Sequence, residues 1–247
     1  QKIDGASVSE LSLVDAVRKI RGADGTIVTL TIGREGDGEP VDVPVIRGKI
    51  VIRSVNSTIR PDGLGYLQIT SFHEDTTQLA TEALRSFSDA KVTGVILDLR
   101  ANPGGLLSEG IAVTSLFLPD GVVVKQQGKD GTIKTFSTSQ PAVMPALPLV
   151  VLVDGGSASA AEIVAGALQD RGRARLVCVQ TFGKGSVQEL EKLTNGGQLK
   201  VTIAEWLTPN DRQINGTGIA PDIVVEATDG DADEQLDRAV QELKPIE

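Results

Sequence analysis

A serine is a weak nucleophile until a neighbouring base takes its proton. Two serines, Ser157 and Ser159, stand among very small residues in GSASAAEIVAGALQD, Gly156 to Asp170, at what reads as the start of a helix. The usual base, histidine, occurs once, as His73 in TSFHEDTT, and reads as a loop residue. Lysine offers another route. An amine whose pKa is pushed down by burial can act as a general base, and Ser-Lys pairs are known variants of the serine triad. Lys184 lies in TFGKGSVQ between Gly183 and Gly185, where backbones can approach closely. Gln188 follows four residues later on a strand, so alternation puts it on the side of Lys184, where its amide can aim the amine. Acyl transfer also needs donors for an oxyanion. The Gly-rich turn in DLRANPGG presents the N–H groups of Gly104 and Gly105, and Ala160 presents one at the helix start.

The acidic residues near these motifs can be placed by spacing. Asp170 comes eleven residues after Ser159. That puts both on one helix face but roughly 16 Å apart along the axis. Asp170 can therefore orient something between them or hold the helix end; beside Arg171 and Arg173 it reads first as an ion pair or cap. Glu162 reads as a first-turn acid favoured by the helix dipole. Asp98 and Arg100 flank Leu99 and can form a buried pair that supports the glycine turn.

Several elements must hold these groups. Strand GYLQITSF leads to helix TTQLATEALRSFSDA, strand GVILDLR, the turn ANPGG, helix LLSEGIAVTSLFL, and strands VVVKQQ and PLVVLVD. The serine helix and strand RARLVCVQ follow. A helix leaving the serine and a strand returning beside it carry Lys184 back toward the serine. Runs such as GVILDL and LVVLV do not alternate, so both of their faces are expected to be buried. Strands alternating with helices predict an α/β layered core. Upstream, Ser12 caps a helix to Ile20, and TIVTLTI alternates as a strand. NGG at Asn195–Gly197 predicts a hairpin turn. DEQLDRAVQELK predicts a surface helix.

Composition narrows the function class. The 247 residues are 40% hydrophobic and 23% charged, as in ordinary globular domains. A net charge of −9 argues against a nucleic-acid partner. No apolar run approaches the ~20 residues that span a bilayer, and the opening residues do not read as a signal peptide. The single cysteine, Cys178, lies in an apolar run and reads as a small buried hydrophobe, as Trp206 and Met144 read as packing residues. No metal or cofactor is expected.

Taken together, GSASAAEIVAGALQD, TFGKGSVQ, DLRANPGG and TGIAPDI resemble the carboxyl-terminal processing peptidases, and the resemblance extends over essentially the whole chain. These are serine proteases with a Ser-Lys dyad and an embedded PDZ domain, on a core related to the Clp protease and crotonase folds. The resemblance implies Ser159 as nucleophile and Lys184, 25 residues on, as base. It implies Gln188 as the residue orienting the lysine, Asp170 in a charge-relay role, and Gly105 and Ala160 as oxyanion donors. Ala161 stands where relatives carry a serine that is not the nucleophile. The implied domains are the second half of a PDZ domain at 1–46, a strand-rich linker at 47–65, a protease core at 66–226 and a C-terminal surface helix at 227–247. The first half of the PDZ domain is expected to lie outside the chain. The implied partners are the C-termini of protein or peptide substrates, with oligomeric state open. The implied location is extracytoplasmic: a bacterial periplasm, cell envelope or secreted form, or a thylakoid lumen. Two rivals remain, an inactive or locked peptide-binding module and an acyl-CoA enzyme of the crotonase type.

Overall fold

The structure, a computed structural model, describes residues 1–34, 38–49, 53–192, 197–228 and 232–244. It divides into two compact units, Gln1–Ile52 and Arg53–Glu247.

The first unit contains β1 (Lys2–Ile3), β2 (Ala6–Ser7), α1 (Leu13–Ile20), β3 (Ile27–Ile32) and β4 (Val41–Ile46). The strands form an antiparallel sheet in the order β2-β1-β3-β4. Pro44, which cannot donate to a ladder, sits on the edge strand β4. Ser12 caps α1 by accepting the Asp15 N–H, as its sequence position predicts. Arg47 holds the other end: its Nε donates to Ile20 O at 2.7 Å, satisfying a carbonyl the helix leaves free. Ile3 and Val28 are buried, whereas the apolar stripe of α1, with Leu13, Val14, Val17 and Ile20, is exposed.

The second unit comprises β5 (Val55–Ile59), β6 (Gly65–Ile69), α2 (Thr76–Asp89), β7 (Val95–Asp98), α3 (Leu107–Ser115), β8 (Val122–Gly128), β9 (Ile133–Ser137), β10 (Leu149–Val153), α4 (Ala160–Asp170), β11 (Arg175–Cys178), β12 (Ser186–Lys192), β13 (Gln198–Leu207), β14 (Ile223–Val224) and α5 (Glu234–Leu243). Its main sheet runs β14-β11-β10-β7-β6-β5. Every pairing there is parallel except β5 with β6. An antiparallel sheet, β12-β13-β8-β9, adjoins it in sequence. β12 and β13 pair as a hairpin, with Asn195 and Gly196 of the expected turn outside the described residues.

The non-alternating strands are buried on both faces, as their composition predicts. Leu149, Val151 and Val153 of β10 join the large core with Leu84, Val113 and Val164 of α2, α3 and α4. Val150 and Leu152 join a second cluster with Ala239 and Val240 of α5. The helix expected at the C-terminus is α5, and its inner face takes part in this cluster. Gln235, Ala239 and Val240 are buried, with Leu236 and Leu243 packed beside them, a stripe repeating every four residues. The segment 47–65, expected to be rich in strand, carries β5. Residues 55–59 are β5, the antiparallel edge of the main sheet, because Val55 buries against the core and the strand pairs with β6 from Val55 to Ile59.

The helix α4 is enclosed on all sides, and its small residues allow it. A Cβ at Gly166 would lie 2.9 Å from Thr208 Cγ2, and one at Gly110 of α3 would lie 3.3 Å from the Ala160 Cβ. The small-residue run thus serves packing as well as the turn before it.

Candidate active site

The parallel strands β6, β7, β10 and β11 all end on one edge of the main sheet. Ligand sites of open α/β sheets form outside these carboxyl ends. Each strand here is followed by a segment that carries part of the site: Phe72, the 99–106 turn, the 154–159 turn and the Lys184 loop.

The 154–159 turn settles how the two serines differ. Ser157 is fully buried, and its hydroxyl donates to Leu99 O at 2.7 Å while accepting the Asp154 N–H at 2.9 Å. Asp154 in turn accepts the N–H groups of Ala101 and Gly156. These bonds brace the turn against the end of β7. Ser159 is half-buried at the tip, immediately before α4, with φ 55° and ψ −114°. A non-glycine residue in such a conformation costs of order 1–3 kcal/mol and persists only where the surroundings enforce it. Nucleophilic serines on strained strand-to-helix turns have this character.

Glu162 supplies the enforcement. It is fully buried. Its Oε2 accepts the Ser159 N–H and the Lys184 N–H, each at 2.8 Å. Its Oε1 accepts the Gly183 N–H and the Thr181 hydroxyl, each at 2.6 Å. Two nitrogens bonded to one oxygen at 2.8 Å can be no further apart than about 5.6 Å, twice that length. Ser159 and Lys184 are thus brought together, 25 residues apart in sequence. The four-carbon stem of lysine spans such a gap. Among the described residues no hydrogen bond joins the Ser159 hydroxyl to the Lys184 amine. The expected burial of Lys184 is corrected: its flanking glycines are buried but the lysine is exposed, since its side chain leaves the loop on the solvent side.

The glycines around Lys184 are required by contact. A Cβ at Gly185 would stand 2.3 Å from Asn215 N, and Gly183, at φ 89°, lies against residues 216–218. Gly216 N–H donates to Gly183 O, Trp206 N–H to Gly185 O, and Thr181 N–H to Ile219 O. The NGTGI segment is therefore the floor on which the lysine loop rests.

Gly104 and Gly105 crowd the serine. A Cβ at Gly104 would fall 2.8 Å from Ser159 Cβ and 3.0 Å from Ala160 N. Gly105 pairs with Phe72 as a parallel bridge in which Phe72 N–H donates to Gly104 O and Leu106 N–H to Phe72 O, both at 2.9 Å. That register turns the N–H of Gly105 to the opposite side. The N–H of Gly104 is engaged by Asn102 Oδ1 at 2.8 Å, so Gly104 is removed from the expected donors. Gly105 and Ala160 remain, neither bonded to another described residue.

Gln188 makes no hydrogen bond to Lys184 among the described residues. It is exposed, and a register shift between Val187 and Gln188 breaks the alternation that would have put both on one side. Asp170 is remote in role. Its nearly buried carboxylate accepts the Asn210 N–H at 2.8 Å and pairs with Arg212, fixing the loop after β13 to the end of α4. Asp98 and Arg100 do pair, at 2.6 Å. Tyr66 donates its hydroxyl to Asp98, and Arg100 extends to Asp233, the cap of α5. Burial and the Asp98 carboxylate push the Tyr66 hydroxyl far above its ordinary pKa. Burial works against the Arg100 cation, yet Asp98 and Asp233 hold its pKa above the usual value. Burial pushes the Cys178 thiol up to about 12, which keeps it an inert packing group. His73 is exposed, with its ring 3.1 Å from the Ser71 hydroxyl. Sequence reasoning missed Asn102 and Thr181. An Asn before Pro-Gly-Gly is a turn signal that pointed to the first; nothing local marked the second.

A strained serine before a buried helix, a lysine loop tied to it and the unengaged N–H groups of Gly105 and Ala160 define a serine-type peptidase core. The chain belongs to peptidase family S41, whose model matches residues 63–225. It is 43% identical over 230 residues to a carboxy-terminal-processing protease of Bartonella bacilliformis, covering 91% of this chain and 53% of that protein. It is 40% identical over 228 residues to a carboxyl-terminal-processing protease of Synechocystis, covering 91% and 53%. Among solved structures it is similar to a photosystem II D1 C-terminal processing protease, with TM-score 0.69, 31% identity and coverage of 91% of this chain and 62% of that one. The chain spans about half the length of the curated relatives it matches. No helix among the described residues is long and apolar enough to cross a membrane.

Proposed function

We propose that this chain is the catalytic part of a serine endopeptidase that cuts protein substrates near their C-termini. Ser159 Oγ attacks the scissile carbonyl carbon as the neutral Lys184 amine takes its proton. The N–H groups of Gly105 and Ala160 hold the oxyanion. The C–N bond then breaks, Lys184 returns the proton to the leaving amine, and an ester to Ser159 remains. Water, deprotonated by Lys184, hydrolyses that ester and restores the serine. The bond of both Ser159 N–H and Lys184 N–H to one Glu162 oxygen is the observation that most supports this reading. Asp98 and Arg100 brace the turn that carries the Gly105 N–H. Gln188, exposed like Lys184 and four residues on, is the group that orients its amine, and Asp170 holds the loop after β13 to the end of α4. Residues 1–46 are the second half of a PDZ domain on this reading, and the resemblance to processing peptidases favours an extracytoplasmic setting.

Ser159→Ala and Lys184→Ala are each expected to fold and to lose proteolysis of an unfolded protein by at least about a thousandfold. Retained activity in either one refutes the dyad. The exposed Lys184 amine favours one second reading, a locked form that holds peptides without cutting them. A serine-directed phosphonate separates the two, since it labels Ser159 only in the competent enzyme.

A further inference from the structure

We propose that Asn102 is a positioning residue of the oxyanion site, deciding which glycine N–H faces the substrate. The inference rests on the serine peptidase reading above. Asn102 is fully buried between three parts of the site. Its Nδ2 donates to Ile69 O, at the end of β6, at 2.7 Å. Its Oδ1 accepts the Gly104 N–H at 2.8 Å, and its backbone carbonyl accepts the N–H of Ala158, the residue before the nucleophile, at 2.9 Å.

Only an amide can do this. It presents a donor to Ile69 O and an acceptor to Gly104 N–H from one planar group, and a flipped amide would set donor against donor. The consequence falls on the neighbouring peptide. With its N–H engaged, Gly104 cannot compete as a donor, and the Phe72 bridge fixes Gly105 so that its N–H points away from β6. Two adjacent glycines are otherwise the most freely rotating pair in a chain. Without the amide, the peptide between Pro103 and Gly104 is released beside Ser159 Cβ, its N–H is free to compete as a donor, and only the Phe72 N–H still holds the plane that carries the Gly105 N–H. A misplacement of about 1 Å at such a site costs on the order of a hundredfold in rate.

The test is kinetic, in the full chain, on a denatured protein carrying a fluorophore and a quencher. Asn102→Leu keeps the volume and removes both bonds. Its kcat is expected to fall about a hundredfold with KM changed less than about threefold, because an oxyanion donor acts only in the transition state. Asn102→Ser keeps an acceptor for the N–H two residues on. It is expected to retain about tenfold more kcat than Asn102→Ala. A kcat for Asn102→Leu within about threefold of the parent overturns the proposal. If Asn102→Leu fails to fold, the Ser and Ala variants decide, and equal losses in the two overturn it. Ser159→Ala and Lys184→Ala are measured alongside. Activity in those variants refutes the dyad itself; their inactivity beside an active Asn102→Leu refutes only the role of Asn102.

Discussion

Glu162 offers the most demanding test of how the site is held. Its two oxygens accept four hydrogen bonds, two each, in a fully buried position. Glu162→Gln keeps the shape but turns one oxygen into an NH2 group that faces two donors. Hydrogen bonds to a charged group are worth about 1.5–3 kcal/mol each, so losing two costs about 3–6 kcal/mol. That is a large share of a total stability of about 5–15 kcal/mol. A domain of this size loses about 2–4 °C of melting temperature per kcal/mol, so the drop should be at least about 6 °C. Thermal unfolding followed by circular dichroism measures it, with proteolysis assayed well below the transition. Thr181→Val removes a single donor to Glu162 and leaves the Ile219 N–H without its acceptor, and should cost about 1–3 kcal/mol. An E162Q protein that melts within about 2 °C of the parent and cleaves at the parental rate would refute the claim that this carboxylate joins the serine to the lysine.

Gly104→Ala should fold poorly or label slowly with a phosphonate, because φ +95° and a 2.8 Å approach to Ser159 Cβ both exclude a methyl group; parental labelling rates count against the close packing. Asp170→Asn should lower stability by about 1–3 kcal/mol through the Arg212 and Asn210 contacts, while kcat stays within about threefold; a hundredfold loss would return Asp170 to the chemistry. The Arg100 guanidinium holds the Asp233 carboxyl below its ordinary value near 3.8. A depressed carboxylate contributes stability that is present above the unfolded pKa and is lost as pH falls through the folded one. Protection factors for hydrogen exchange at Ala239 and Val240, taken against the intrinsic rate at each pH, should therefore hold from pH 7 to about 5 and fall below about 4; unchanged protection factors at pH 3 would show that the ion pair does not hold α5.

The parts of this fold that follow from pattern were legible in the sequence. Non-alternating LVVLV did mean a strand buried on both faces, and the small residues of α4 did mark a helix packed all round. Ser159 and Lys184 were legible as a pair because a helix and a parallel strand must return to the same sheet edge. What escaped depended on long-range contacts. The face of α5 was hidden because its stripe of Gln235, Ala239 and Val240 is weakly apolar and only the sheet gives it a partner. Lys184 was expected to be buried because burial is what makes a lysine amine a base; its flanking glycines, read as sites of close backbone approach, do contact residues 215–218 but leave the lysine outside. Thr181 is an ordinary threonine until Ile219 and Glu162 close around it.

The dependence of the lysine loop on residues 216–219 also sets an order in time. At synthesis rates of about 5–20 residues per second, the 60 residues from Ser159 to Ile219 take about 3–12 seconds to emerge. Throughout that interval Ser159 has been made while the segment that supports the Lys184 loop has not. If Ser159 and Lys184 form the proposed dyad, no assembled site exists until most of the second unit has been made.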